Sequence, residues 1–236
     1  MGCGGSTPVD LAEVNGGMNS SNIGPVNGTQ VGFVLKQKMF SWSGDDFVIK
    51  NHTEAEAFKI KGNALSLRDK MHITDPEGKK LAVLQRKLMA LRPTFYVYSY
   101  TPNFEGQEST EEDRDKEPVY RYAFVQDQFA SLLGRQIVKK FTTSNEEKEA
   151  VGVFEIFVQA AIKFKCRIKK YMTPEEKKAK DKDEEQQVIA TAGETSFFQW
   201  EGKTTLAIEM ATGCDVLLIL CGMIASEKIK EDKQKK

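Results

Sequence analysis

No apolar stretch in this 236-residue chain is long enough to cross a bilayer as a helix. The longest run, Val216-Leu217-Leu218-Ile219-Leu220-Cys221-Gly222-Met223-Ile224-Ala225, would span about 15 Å against roughly 30 Å of hydrocarbon. The first thirty residues contain no apolar h-region, so no secretory signal is read there. Metal ligands are scarce. There are two His and four Cys (Cys3, Cys166, Cys214, Cys221), with no C-x-x-C pair. G-x-S-x-G, P-loop and zinc-spacing motifs are absent, so neither an enzyme nor a bound cofactor or metal is expected, and no catalytic residue is named. The formal net charge is zero, which removes any global argument for nucleic acid as a partner. No Lys or Arg occurs before Lys36, so the N-terminal tail lacks a basic cluster.

The chain opens Met1-Gly2-Cys3-Gly4-Gly5-Ser6. Gly2 with Ser6 fits N-myristoylation, and Cys3 beside it offers a thioester site for palmitate. One myristoyl chain binds membranes only marginally, so a second signal is needed: acylated Cys3 or a basic surface on the folded part. Residues 1–30 read as a flexible Gly-, Asn- and Ser-rich linker, with Asp10 and Glu13 its only charges. This places the protein on the cytoplasmic face of a plasma membrane or endomembrane as a peripheral protein.

From Val31 the pattern is that of strands. Short runs rich in Phe, Val, Ile, Leu and Tyr recur between turn signals. Phe58 and Ile60 alternate with Lys59 and Lys61. Asp75-Pro76-Glu77-Gly78 suits a type I turn. One folded domain is expected over 31–230, interrupted by loops at 101–118 and 172–187, with 231–236 a charged tail. Seven Asp and Glu between Glu105 and Glu117 predict a solvated acidic loop without EF-hand spacing. Residues 173–187 fit a solvated helix or a loop equally. His52 falls in a turn and His72 in a strand, both read as structural.

The apolar run has no polar face, so protein must enclose it on all sides. Asp215 is placed to cap it, and Lys228 and Lys230 suit its last turn. In a chain otherwise made of strands, the enclosure is a closed sheet around one helix, with Val216, Leu217, Leu218, Ile219, Leu220, Met223 and Ile224 as its core.

The sharpest surface feature is Lys163-Phe164-Lys165-Cys166-Arg167-Ile168-Lys169. Period-two alternation puts Lys163, Lys165, Arg167 and Lys169 on one face, a cationic row roughly 20 Å long. Anionic phospholipid headgroups suit such a row. The alternatives are a solvated strand face or one paired with the acidic loop. Absence of aromatics in the row argues against nucleic acid.

The succession Phe33–Ser41, Phe47-Val48-Ile49, Lys70–Asp75, Leu81–Leu91 and Arg92–Tyr98, then Leu206-Ala207-Ile208-Glu209 and Asp215 with its apolar run, resembles the LURP-one-related family. That family is grouped with the phospholipid scramblases and the tubby C-terminal domain. The resemblance implies a mainly β, tubby C-terminal-like fold: a closed antiparallel barrel of about twelve strands around a central hydrophobic C-terminal helix. Tubby domains bind phosphoinositides through basic surface residues and scramblases are lipid-modified, so the resemblance implies a membrane-facing role by fold analogy. The leading expectation is a non-enzymatic, lipid-anchored module binding anionic phospholipid or phosphoinositide. A scramblase-like protein, or a soluble interaction scaffold with an unknown protein partner, is the alternative.

Overall fold

The structure is a computed structural model that describes residues 31–37, 47–51, 55–62, 70–128, 134–160, 164–179, 188–194, 205–210 and 215–234. The chain is mainly β, one large antiparallel sheet with a C-terminal helix. The strands are β1 (Val31–Gln37), β2 (Phe47–Asn51), β3 (Glu56–Gly62), β4 (Met71–Thr74), β5 (Lys80–Arg86), β6 (Thr94–Ser99), β7 (Glu111–Glu112), β8 (Pro118–Asp127), β9 (Arg135–Lys140), β10 (Val151–Ala160) and β11 (Phe164–Lys170). A short helix α1 (Pro174–Ala179) follows, then β12 (Val188–Glu194), β13 (Thr205–Met210) and α2 (Val216–Gln234).

Most neighbours in the sheet are neighbours in sequence, the cheapest connection for an antiparallel sheet. β1 to β6 pair in order and β8 to β13 pair in order. β13 pairs with β1, and β6 pairs with β8 as well as with β5. β7 is a two-residue addition paired only with the start of β8. The alternation read in β3 is present: Phe58 and Ile60 are buried, Lys59 is half-buried and Lys61 exposed. The Asp75–Gly78 turn carries its hydrogen bond from the Gly78 amide to the Asp75 carbonyl at 3.2 Å. Gly78 there takes a φ of 91°, in the left-handed region that favours glycine.

One cluster of buried side chains joins α2 to the sheet, with Phe58, Met71, Phe95, Phe154, Ile156 and Ile168 among its larger members. Val216, Leu217, Leu218, Ile219, Leu220, Met223 and Ile224 are all buried within it. Gly222 marks the closest approach, since a Cβ there would lie 2.9 Å from Ile156 Cδ1. Among the described residues no helix is long and apolar enough to cross a membrane. A smaller cluster lies on the opposite face of the sheet, where Tyr96, Tyr98, Phe124 and Phe141 pack with Val83 and Val119. Every residue of β6 is buried, because this outer layer covers the face turned away from α2.

Both ends of α2 are fastened. Asp215 Oδ1 accepts the Leu218 amide at 3.0 Å, the N-cap bond, and Asp215 Oδ2 accepts the Tyr122 hydroxyl at 2.6 Å. At the other end Asp232 accepts from Arg86 at the close of β5, and Lys233 pairs with Asp127 at the close of β8 at 2.7 Å. The helix continues past Lys228 and Lys230 to Gln234, so Lys233 occupies the last turn in their place. Residues 231–234, read as tail, belong to the helix because these ion pairs hold them against the sheet rim. Asp215→Ala removes a buried cap and the acceptor of the Tyr122 hydroxyl together. Urea unfolding is expected to show a loss of about 2–3 kcal/mol, with Tyr122→Phe costing about 1 kcal/mol and the double variant less than the sum.

Candidate anion-binding surface

Strand register builds the candidate site across β9, β10 and β11. β10 lies between the other two. Glu155 is opposite Ile137 and Lys169, Phe157 is opposite Arg135 and Arg167, and Gln159 is opposite Lys165. Phe154, Ile156, Val158, Cys166 and Ile168 are buried in the cluster with α2. Alternation therefore turns Glu155, Phe157, Arg167 and Lys169 to the outer face. Arg167 is exposed and Lys169 half-buried. Lys165 keeps its backbone position between Gln159 and Gly193, and its side chain lies outside the description. Lys163, Gly2 and Cys3 lie outside the described residues, as does His52.

Glu155 organises this face. Its side chain is fully buried, and Oε1 accepts both Arg135 Nη2 at 2.5 Å and Lys177 Nζ at 2.6 Å. A buried carboxylate is tolerated only when paired, and here two cations share one oxygen. Phe157 carries cations as well. The Arg135 guanidinium lies 5.6 Å from its ring centroid and Lys169 Nζ 5.7 Å. The row thus has an aromatic beside it, contrary to the expectation from β11 alone, because Phe157 comes from the neighbouring strand.

Lys177 reaches Glu155 because α1 is held in place by a capping box. Thr173 Oγ1 accepts the Glu176 amide at 3.2 Å, and Glu176 Oε2 accepts the Thr173 amide at 2.7 Å. Lys177 Nζ also lies 5.7 Å from the Tyr171 ring centroid, and that ring rests on Gly152 so closely that a Cβ there would sit 2.3 Å away. On the far side of β11 the partners on β12 are Gly193, Thr191 and Val188, none charged. Arg135, Arg167 and Lys169 against Glu155 leave two positive charges in surplus, before Lys165 is counted; α1 is itself balanced, with two Glu and two Lys.

The acidic loop is not solvated throughout, and among the described residues it is not paired with this row. It folds over the outer face of β5, β6 and β8, where Lys80 meets Asp113 at 2.8 Å, Asp115 at 2.6 Å and Glu117 at 3.1 Å. Asp113 Oδ1 accepts the amides of Asp115 and Glu117, and its Oδ2 accepts the Tyr100 hydroxyl at 3.0 Å. Burial alone would raise the Asp113 carboxyl. The bonds from Lys80, from the two amides and from Tyr100 outweigh it and hold the group at about 2. His72 on β4 is buried; burial, then Arg114 and Lys70, lowers its pKa. The Cys166 thiol is pushed up to about 12 by burial, and burial also raises Cys221, so both are packed and protonated. No cluster of His, Cys, Asp and Glu suited to a metal ion occurs among the described residues.

The family model described as LURP-one-related matches residues 31–227. This chain belongs to the LURP-one-related family. Its match includes all of β9–β11 and α1, so the basic face lies on the family domain. A curated relative of this LURP-one-related chain is the "Uncharacterized protein YxjI" of Bacillus subtilis (strain 168), 43% identical over 63 residues. That alignment covers 27% of this chain and 38% of the relative. Among solved structures, the X-ray structure of a protein from Arabidopsis thaliana, AT5G01750, matches with a TM-score of 0.50 at 13% identity. It covers 90% of this chain and 97% of the other, a likeness of fold.

Arg135, Glu155 and Phe157 join the basic row only through the sheet register, and Lys177 only through α1, so reading the row on its own strand does not find them. The one local signal is Thr173-Pro174-Glu175-Glu176, whose spacing announces the capping box.

Because the Asp113 carboxyl is held below its unfolded value near 3.8, it stabilises the fold fully above that pH. The contribution fades as pH falls from there through about 2. Asp113→Asn is expected to flatten the stability profile across that window. Asp113→Ala is expected to cost about 2–3 kcal/mol at neutral pH. Urea titrations from pH 2 to 7 check both.

Proposed function

We propose that this LURP-one-related protein is a non-enzymatic, lipid-anchored module that docks on anionic phospholipid headgroups, phosphoinositides among them, through the outer face of β9–β11. The observation that carries this reading is the cationic surplus around a buried, already paired Glu155. The internal carboxylate takes up Arg135 and Lys177, while Arg167 points to solvent. Near an anionic leaflet each Lys or Arg contributes about 1 kcal/mol. A stacked nucleobase is a poorer fit, because cations already stand over Phe157.

The same reading takes the sheet as a closed barrel of twelve strands. The β6–β8 ladder and the burial of α2 support it. A binding module also accords better with α2 fastened at both ends than a scramblase-like role in which the helix leaves the sheet. The second membrane signal is acylation at Gly2 and Cys3, on the cytoplasmic face of the membrane. The Gly2–Ser6 pattern supports it.

Flotation of unacylated protein with phosphatidylserine- or phosphoinositide-containing vesicles tests the docking face. Lys165→Glu with Arg167→Glu is expected to weaken binding on the order of thirtyfold, and high salt to weaken the wild type. Failure of the wild type to float with any anionic vesicle would point instead to a soluble scaffold. Metabolic labelling with a myristate analogue, comparing Gly2→Ala with wild type, tests the anchor. A wild-type chain that takes no label contradicts it.

A further inference from the structure

The connection between β5 and β6 is built against ordinary turn chemistry. Its sequence is Lys87-Leu88-Met89-Ala90-Leu91-Arg92-Pro93, where Gly, Asn or Asp would be usual. Met89 is fully exposed, Leu91 is 96% exposed and Leu88 46% exposed. These are three of the four large apolar side chains exposed among the described residues, and they fall within four positions. Met89 also takes a φ of 55°, a left-handed conformation that bulky side chains rarely adopt. The tip therefore keeps an apolar side chain in water where a small polar one would relax the backbone.

Below the tip the hairpin is rigid. The Lys87 amide donates to the Thr94 carbonyl at 2.9 Å, and Thr94 Oγ1 donates to the Arg92 carbonyl at 2.8 Å. The Asp127 amide donates to the Pro93 carbonyl at 3.0 Å, tying the hairpin to β8. Arg86, Lys87 and Arg92 surround the neck, and the segment from Arg86 to Pro93 holds no acid. Arg86 is paired with Asp232 and Lys87 with Glu147, which hold the collar in position under the tip and leave these five groups, Arg92 included, one positive charge in surplus.

We propose that the β5–β6 hairpin is a membrane-inserting wedge: Leu88, Met89 and Leu91 enter the interfacial zone of a phospholipid bilayer while Arg86, Lys87 and Arg92 stay at headgroup level. Apolar groups above a cationic collar match the order of layers met on entering an anionic leaflet. A protein partner is a poorer occupant. A stable interface needs about 800 Å² from each side, and a convex four-residue tip offers far less. Antiparallel order also puts the hairpin at the same sheet end as the start of β11, so one membrane plane can meet the tip and the Lys165 end of the basic row. The wedge rests on the membrane reading above only in taking a bilayer as partner.

The test places an environment-sensitive NBD probe at Met89→Cys in the full chain, with Cys3→Ser and Cys214→Ser removing other reactive thiols. Cys166 and Cys221 are buried. A hexahistidine tag holds the protein on nickel-chelating phosphatidylcholine vesicles, so that contact with the bilayer does not depend on the basic face. The expected result is a blue-shifted emission quenched by nitroxides on the lipid chains, with no change for a probe at Glu77→Cys in the turn at the opposite end. Leu88→Ser, Met89→Ser and Leu91→Ser together should lower affinity for anionic vesicles on the order of tenfold while unfolding as wild type. A Met89 probe that stays in water on tethered protein overturns the wedge, whatever the basic face does. So does a concentration-dependent dimer that the serine variant abolishes without change in vesicle binding. Insertion of the tip, with Lys165→Glu and Arg167→Glu without effect, leaves the wedge standing and removes the basic-face reading.

Discussion

Everything in this fold depends on burying a helix that has no polar side. From Val216 to Ser226 every residue of α2 is buried, so the sheet must curl to cover all of them. That requirement explains why the strands run in simple antiparallel succession and why β6 finds a second partner in β8. It also explains Gly222, where β10 comes close enough that any side chain would meet Ile156. The polar final third of α2 then emerges and is tied to the rim through Arg86 and Asp127.

With the inner face committed to α2, the outer face and the loops are what the fold leaves accessible. The outer face is not uniform. Over β5, β6 and β8 it is covered by the acidic loop and a second apolar layer, with Lys80 neutralised by three carboxylates. Over β9 to β11 it stays open and basic, with a single carboxylate sunk beneath its cations. The two charged regions differ in balance: the first locks a loop to the sheet, while the second keeps Arg135, Arg167 and Lys169 against the one carboxylate of Glu155.

Much of this was legible locally. The apolar run, its Asp215 cap, the turn at Asp75–Gly78 and the alternation in β3 and β11 are short-range patterns, and each fixes a face or an end. What stayed hidden depends on partners distant in sequence. Seven acids between Glu105 and Glu117 read as solvated because nothing nearby shows that Lys80 and Tyr100 meet Asp113. Phe157 and Arg135 join the basic row only once the register of three strands is known. Tyr96 and Tyr98 alternate with Phe95 and Val97 in an unbroken apolar strand, which signals cover on both faces without naming what covers it. The exposed tip at Leu88–Leu91 carries no signal of its own, because hydrophobicity in sequence does not distinguish a core residue from an exposed one.

The central claim is that α2 is the structural pivot, enclosed in the native state and released only when the whole domain unfolds. Amide hydrogen exchange read residue by residue along α2 tests it most directly. The account predicts that amides of Leu220 to Ser226 exchange only through global unfolding, with the same free energy as the most protected strands. Exchange of those amides at a distinctly lower free energy, while β6 and β8 stay protected, would contradict it.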